Sequence, residues 1–201
     1  MTSKLVALIL AKSDSRRLLN KNVLEFGGKP MFLVNVEKCL KIFDKVYVSS
    51  NNQSILDDAE KVGAIPILRG EELCGDVPNI PVYQHALGFM GDVDGIIAVQ
   101  ANSPTIKLSI IADVADILDT TMVDEVMTVQ HKLLRPEDFN GKTHGDYELY
   151  GSVWAIRADK LRQYGDPYHP RPRVLVVDNS VDIHNQTDYL KAISLYDKNR
   201  K

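Results

Sequence analysis

Four short apolar runs punctuate the first half of the chain. They fall at 5–11 (LVALILA), 45–49 (KVYVS), 64–68 (AIPIL) and 95–100 (GIIAVQ). Each is rich in β-branched residues and too short for a buried helix, which predicts strands covered on both faces. Between them the apolar spacing changes to three and four residues. Pro30 can open a helix with Phe32, Val36 and Leu40 on one face. Helices are also expected at 52–62, 82–90 and 109–119, the last from Ile110, Val114 and Ile117. Such alternation predicts an α/β fold, a mostly parallel Rossmann-like sheet with helices on both faces. Ligands of these sheets lie beyond the carboxyl ends of the strands. The residues to inspect are therefore Lys12 onward, 50–52, 69–76 and 100–104.

The rhythm breaks after Val129. Residues 131–150 are polar and carry an Asn140-Gly141 turn signal, so a hairpin excursion is expected. Strand patterns return at 151–157 and 173–177, and a helix is expected at 186–196. One domain over 1–201 accounts for all of this.

Composition narrows the classes. Of the 201 residues 44% are hydrophobic and 25% charged, with a formal net charge of −3, which argues against broad nucleic-acid or membrane binding. No apolar stretch reaches the ~20 residues that spanning a bilayer needs. No signal-peptide layout is visible, and a soluble cytoplasmic protein is expected. Cys39 and Cys74 fit no metal or redox spacing and are expected as buried free thiols.

The loop after the first strand, KSDSRRLLNKN, gathers Lys12, Arg16, Arg17 and Lys21, with Ser15 able to add a hydroxyl. Clustered cations and turn N–H groups suit a triphosphate. A solvated basic loop is the alternative. The segment is neither a P-loop nor a dinucleotide fingerprint, because both need glycines absent here. FGGKP at 26–30 supplies a sharp turn before the helix that Pro30 opens.

Taken in order, LAKSDSRRLLNKN, FGGKP, FDKVYVSSNN and GAIPILRGEELCGD resemble the cytidylyltransferases that activate sialic acids. Their relatives act on pseudaminate, legionaminate and 3-deoxy-manno-octulosonate. The opening is similar to L-A-R-x-x-S-K-x-x-x-x-K-N, matched by Leu10, Ala11, Ser15, Lys21 and Asn22, with Lys12 and Arg16 keeping the charge. AVQANSPTI resembles L-Q-P-T-S-P-L-R, and NSVDIHNQTDYLKA resembles S-I-D-I-D-T-x-x-D-L-x-x-A. The resemblance implies a fold of the nucleotide-diphospho-sugar transferase type. It also implies transfer of CMP from CTP to the anomeric hydroxyl of a keto-sugar acid, with Mg²⁺. Lys12, Ser15, Arg16, Lys21 and Asn22 would hold the triphosphate. Leu10 and Ala11 would contact cytosine through their backbone, Arg69 and Asn79 would read the base, and Gln100 the sugar. Lys21, Arg16 and Asp182 would be catalytic, with Asp182 binding the metal. Arg135 is the candidate for the substrate carboxylate, with Lys132, Arg171 and Arg173 as others. A homodimer through 131–150 is implied, with no nucleic-acid or membrane partner.

Four positions depart from that pattern. His184 replaces the second aspartate of D-I-D, and imidazole suits Mn²⁺ or another transition ion better than Mg²⁺. Asn51 replaces a frequent aspartate. Ile106 stands in place of an arginine, which removes its electrostatic hold on the 100–106 loop. Tyr150 precedes Gly151 where an asparagine is common, and would reshape the sugar pocket. Two alternatives follow: a same-fold nucleotidyltransferase with another base or acceptor, or an inactive nucleotide-sugar-binding protein.

Overall fold

The structure, a computed structural model, describes residues 4–13, 15, 17–131, 143–144, 147–165 and 172–198. Strands β1 (Leu5–Leu10), β2 (Val46–Ser50), β3 (Ile65–Leu68) and β4 (Gly95–Gln100) fall where the apolar runs predict them. Between them lie α1 (Met31–Cys39), α2 (Gln53–Lys61) and α3 (Asn79–Leu87), and α4 (Leu108–Thr120) follows β4. The third helix begins three residues before its expected start, because Pro78 sets its N-terminus. The second half adds β5 (Glu125–His131), β6 (Thr143–His144), β7 (Tyr147–Arg157), α5 (Ala158–Arg162), β8 (Arg173–Val177) and α6 (Gln186–Lys198). Within the 131–150 excursion the described part is β6 paired with the start of β7. The Asn140-Gly141 turn lies outside the described residues.

The strands form one sheet in the order β3-β2-β1-β4-β7-β5-β8. All neighbours are parallel except β7, which runs antiparallel to β4 and β5. Side chains alternate across β1. Ala7 and Ile9 pack with α1, α2 and α4, whereas Val6 and Leu8 pack with α3 and α5. Covering both faces explains why the strand runs read as almost unbroken hydrophobic stretches.

Local chemistry sets the ends of these elements. The Asn52 carboxamide accepts from Ile55 N–H at 3.3 Å and caps α2. Gly63, at φ +96°, ends that helix, and Ala64 N–H returns to the Ala59 carbonyl at 3.0 Å. In FGGKP, Phe26 N–H donates to the Lys29 carbonyl at 2.7 Å, closing the expected turn. Gly27 has φ +64°, and a Cβ there would sit 2.5 Å from the Tyr196 ring on α6. Phe26, Met31 and Val34 share a third apolar cluster with Val181, Ile183 and Ala192, which seats α6 on the start of α1. Cys39 is buried, and burial pushes its thiol up to about 12. Cys74 is only half-buried, its thiol against the Gly70 carbonyl, contrary to the expectation of two buried cysteines.

The missing arginine at 106 has a structural replacement. Fully buried Asn35 on α1 donates to the carbonyls of Gln100 (2.8 Å) and Ser103 (3.0 Å). Lys38, one turn later, donates to the Asn35 oxygen (3.0 Å) and to the carbonyls of Pro104 (2.6 Å) and Ile106 (2.8 Å). Ile106 itself is core. The electrostatic hold on the 100–106 loop thus comes from the helix beneath it.

Asn35→Leu keeps the approximate volume but leaves two carbonyls and an ammonium short of partners. It is expected to lower stability by about 2–4 kcal/mol, read from the urea midpoint. Burial also lowers Lys38 from 10.5 to about 8. Below pH 8 it is charged in both folded and unfolded states. Between about 8 and 10.5 the unfolded chain keeps a proton that the folded chain has lost, so the stability Lys38 contributes rises with pH across that window. The wild-type minus Lys38→Met stability difference should climb there by on the order of 3 kcal/mol. A flat difference would contradict a charged, desolvated Lys38.

Candidate active site

The sheet changes its direction of growth between β1 and β4, which pair in parallel with Leu10 beside Gln100. Such a switch point leaves a crevice past the strand ends. A cavity of about 250 Å³ occupies it.

The loop after β1 forms one wall. Lys12 reaches across to the Gly75 carbonyl at 3.0 Å. Buried Asn22 donates to the Lys12 carbonyl at 2.8 Å, pinning the loop to its own far end. Ser13 N–H and hydroxyl both lie 3.4 Å from the Asn51 oxygen, so the asparagine that replaces a carboxylate anchors the same loop. Lys21 starts a single 3₁₀ turn after Asn20, whose φ is 52°. The Ser15 hydroxyl is buried, lines the cavity and has no hydrogen-bond partner among the described residues. A phosphate oxygen would satisfy it.

The opposite wall comes from β3, α3 and β4. Arg69 follows β3 and is 5% exposed, its backbone N–H bonded to the Ser50 carbonyl at 3.0 Å. Asn79 opens α3, and Gln100 ends β4. Arg17, Leu73, Gly75, Val77 and Val82 complete the lining together with Asn102. No aspartate or glutamate lines the cavity among the described residues, while Lys12, Arg17, Lys21 and Arg69 do. The site is built for an anion.

The segment between β8 and α6 closes it. Asn185 and Asp188 form a reciprocal cap at the start of α6: Asp188 N–H donates to the Asn185 oxygen at 3.0 Å. The Asp188 carboxylate accepts from His184 N–H (2.9 Å) and Asn185 N–H (3.1 Å). Ile183 N–H donates to the Asn102 carbonyl at 2.9 Å, and the Ile183 carbonyl accepts from the Lys21 ammonium at 2.7 Å. Asp182 accepts from the Asn102 amide through one oxygen and lies 2.8 Å from His184 Nε2 through the other. Burial holds the Lys21 ammonium below the usual lysine range. Asp182 opposes that shift, and Arg17 and Lys12 reinforce it.

The cavity thus gathers Leu10, Lys12, Ser15, Lys21, Asn22, Arg69, Asn79, Gln100 and His184. Asp182 stands behind its rim, bonded to two lining residues. Ala11 is fully buried, with its N–H donated to the Ser49 carbonyl at 3.0 Å. Tyr150 belongs to β7. Arg16, Lys132, Arg135 and Arg171 lie outside the described residues, as does the Tyr150 side chain. Arg173 is 2.8 Å from buried Glu125 and serves the sheet interior. Sequence reasoning passed over Asn102 and Gly75. The only signal for Asn102 was its place two residues past a strand end.

For a metal, the donors are few. No group of three or more His, Cys, Asp and Glu gathers among the described residues. Asp182 supplies one hard oxygen donor set. That fits a Mg²⁺ ion shared with ligand phosphates and water, and does not fit a cage made by protein alone.

A family model described as cytidylyltransferase matches residues 6–160. The chain belongs to the cytidylyltransferase family. Among its relatives, the 3-deoxy-manno-octulosonate cytidylyltransferase of Francisella tularensis subsp. novicida is 31% identical over 157 residues, 74% of this chain and 62% of that protein. The N-acylneuraminate cytidylyltransferase of Escherichia coli O18:K1:H7 is 35% identical over 107 residues, 52% of this chain and 26% of that protein. The pseudaminic acid cytidylyltransferase of Campylobacter jejuni is 30% identical over 116 residues, 54% of this chain and 50% of that protein. The match therefore spans between 26% and 62% of these relatives' lengths. The fold of this cytidylyltransferase-family chain also resembles that of a solved CMP:2-keto-3-deoxy-manno-octonic acid synthetase in complex with CTP. The TM-score is 0.78 at 15% identity, covering 98% of this chain and all of that one. The structure of 4-diphosphocytidyl-2C-methyl-D-erythritol synthase from Anaerococcus prevotii gives 0.73 at 12% identity, covering 98% of this chain and all of that one. No described helix of this family member is long and apolar enough to cross a membrane.

Inorganic pyrophosphate is expected to bind this cavity, more weakly as salt rises. Lys21→Met should weaken it on the order of tenfold or more, the loss of a charge-assisted hydrogen bond, read by calorimetry.

Proposed function

We propose that the chain transfers CMP from CTP to the anomeric hydroxyl of a keto-sugar acid, releasing pyrophosphate. The observation that carries this reading is the cavity at the β1/β4 switch point, which among the described residues has no acidic lining, with Lys12, Arg17 and Lys21 on one side and Arg69 beside the amides of Asn79, Gln100 and Asn102 on the other.

Lys12 and Lys21, with Arg16 and Arg17 of the same loop, hold the triphosphate, and the unpaired Ser15 hydroxyl donates to a phosphate oxygen. Asn22 keeps the loop in shape. The sugar oxygen forms a bond to the α-phosphorus as the bond to the β-phosphate bridge oxygen breaks. The electron pair leaves with pyrophosphate, and the hydroxyl proton passes to solvent. Charge grows on the leaving group, and Lys21, tied to the Ile183 carbonyl, is the cation that meets it. Positioning of this kind, rather than covalent chemistry, carries phosphoryl-type transfers. Leu10, Arg69 and Asn79 face the base, and Gln100 faces the sugar; Ala11, buried behind the lining with its N–H on Ser49, supports Leu10 from behind. Tyr150 shapes the acceptor pocket, and Arg135 takes the acceptor carboxylate. Asp182 would hold Mg²⁺, or Mn²⁺ or another divalent ion if His184 joined it. Once bound, the ion neutralises charge on the phosphate oxygens.

One observation favours a second reading. Both Asp182 oxygens are engaged, by Asn102 and His184, which leaves the carboxylate less free for a metal, as in a chain that binds a nucleotide sugar without turnover.

Pyrophosphate release measured with each nucleoside triphosphate, Mg²⁺ or Mn²⁺, and a panel of keto-sugar acids separates the two. Release confined to CTP is expected, and Asp182→Asn should cut kcat on the order of 100-fold with a smaller change in KM. Release with another base points to a different nucleotide. Nucleotide binding without turnover under any pairing supports the second reading.

A further inference from the structure

Asp178, the first residue past β8, is 3% exposed and forms no salt bridge among the described residues. Burying an unpaired carboxylate is costly, and hydrogen-bond donors offset that cost here. Its Oδ2 accepts from Ser152 Oγ on β7 and from Ser180 Oγ, both at 2.5 Å, and its Oδ1 accepts from Ser180 N–H at 2.9 Å. An ionised carboxylate only accepts, so both serine hydroxyls must donate to it. Ser152 then has only lone pairs to offer Thr128 Oγ1, 2.8 Å away on β5. The bonds therefore run one way, from Thr128 through Ser152 to Asp178, and all of these residues are buried. Segment 178–184 leads from this network to the cavity. Asp178 N–H donates to the Val129 carbonyl at 2.8 Å, Gln130 Nε2 to the Ser180 carbonyl at 2.8 Å and Val181 N–H to Thr105 Oγ1 at 2.8 Å. The Asp178 carboxylate adds the tie to β7, the neighbour of β4. Asp182 stands one turn of chain further on, and beside it is the Ile183 carbonyl that takes the Lys21 ammonium.

We infer that Asp178 is a positioning residue: it fastens segment 178–184 to the sheet so that Asp182 meets a divalent ion at the cavity rim. This role rests on the assignment of Asp182 to that ion. A carboxylate is required at 178 because every partner of its oxygens donates. Asparagine would turn an NH₂ group toward a hydroxyl hydrogen or toward the Ser180 N–H, and one of the three bonds would be lost. The segment would then keep its ties to β5 and to the 100–106 loop but lose its hold on β7. The groups that support a metal ligand from behind set its affinity as well as its place.

The test is Mn²⁺ uptake in the presence of pyrophosphate, read from the paramagnetic resonance signal of the free ion, with the urea midpoint recorded beside it. Asp178→Asn is expected to weaken Mn²⁺ on the order of tenfold, the low end of what supporting groups contribute at a metal site. Ser152→Ala should weaken it in the same direction. In an Asp182→Asn background neither substitution should weaken Mn²⁺ further, because both act through that carboxylate. Equal weakening in that background would overturn the role. So would a lowered urea midpoint in Asp178→Asn with Mn²⁺ affinity unchanged, which is the signature of a network that serves stability alone. If Asp178→Asn does not fold, unchanged Mn²⁺ affinity in Ser152→Ala decides against the role equally. Turnover is a separate measurement. A wild-type chain that takes up Mn²⁺ with pyrophosphate but turns over no CTP removes the transferase reading, and the Mn²⁺ comparison still decides the role of Asp178. A wild-type chain that takes up no Mn²⁺ removes the metal assignment of Asp182, and the role of Asp178 with it.

Discussion

The parallel pairing of β1 with β4 places Leu10 against Gln100 and sends the chain outward in both directions from that line. Everything functional hangs on this pairing. Because β2 and β3 lie on one side and β7, β5 and β8 on the other, the loops leaving β1 and β4 diverge and the space between them stays open. The strand ends fix the floor of the cavity, and the loops supply its charge. A site built this way needs a rigid floor. The two buried faces of β1 and β4 provide it, since Ile9 and Leu8, or Ile97 and Ile96, lock into opposite helical layers.

The walls are held differently from the floor. The segments around the cavity are tied by side chains to backbone carbonyls, Lys12 to Gly75, Asn35 to Gln100 and Lys21 to Ile183 across long stretches of chain, and Asn22 to Lys12 within one loop. Such bonds satisfy carbonyls that irregular backbone would otherwise leave bare. They also explain how the basic loop after β1 holds its shape without glycine. Asn22 at its own far end and Asn51 past the end of β2 hold it in shape through side-chain bonds.

The first four strands and the helices between them were legible in the sequence, because burial on both faces writes itself as continuous apolar runs. Most of the cavity lining was legible too, through the resemblance at Lys12, Ser15, Lys21, Asn22, Arg69 and Gln100. The antiparallel course of β7 was not, since period and composition carry no strand direction. β5 escaped notice because Glu125, Thr128 and Gln130 interrupt its apolar pattern. Glu125 is nonetheless fully buried, bonded to Trp154 at 2.9 Å and paired with Arg173. Asn35 and Lys38 read as ordinary polar positions on a helix. Their partners lie more than 60 residues away, at 100–106, and nothing local announces them.

The contact between the Lys21 ammonium and the Ile183 carbonyl closes a loop of 162 residues. On the ribosome, where the chain emerges from its N-terminus, the basic loop, the wall that carries Arg69 and Asn79, and the floor are all made long before that carbonyl exists. The cavity is therefore completed only once residue 183 has been added. Until α6 docks under Gly27, a growing chain carries the loop's cations without the segment that holds them in place. A nascent chain that stops short of Ile183 cannot hold the Lys21 ammonium in its finished place.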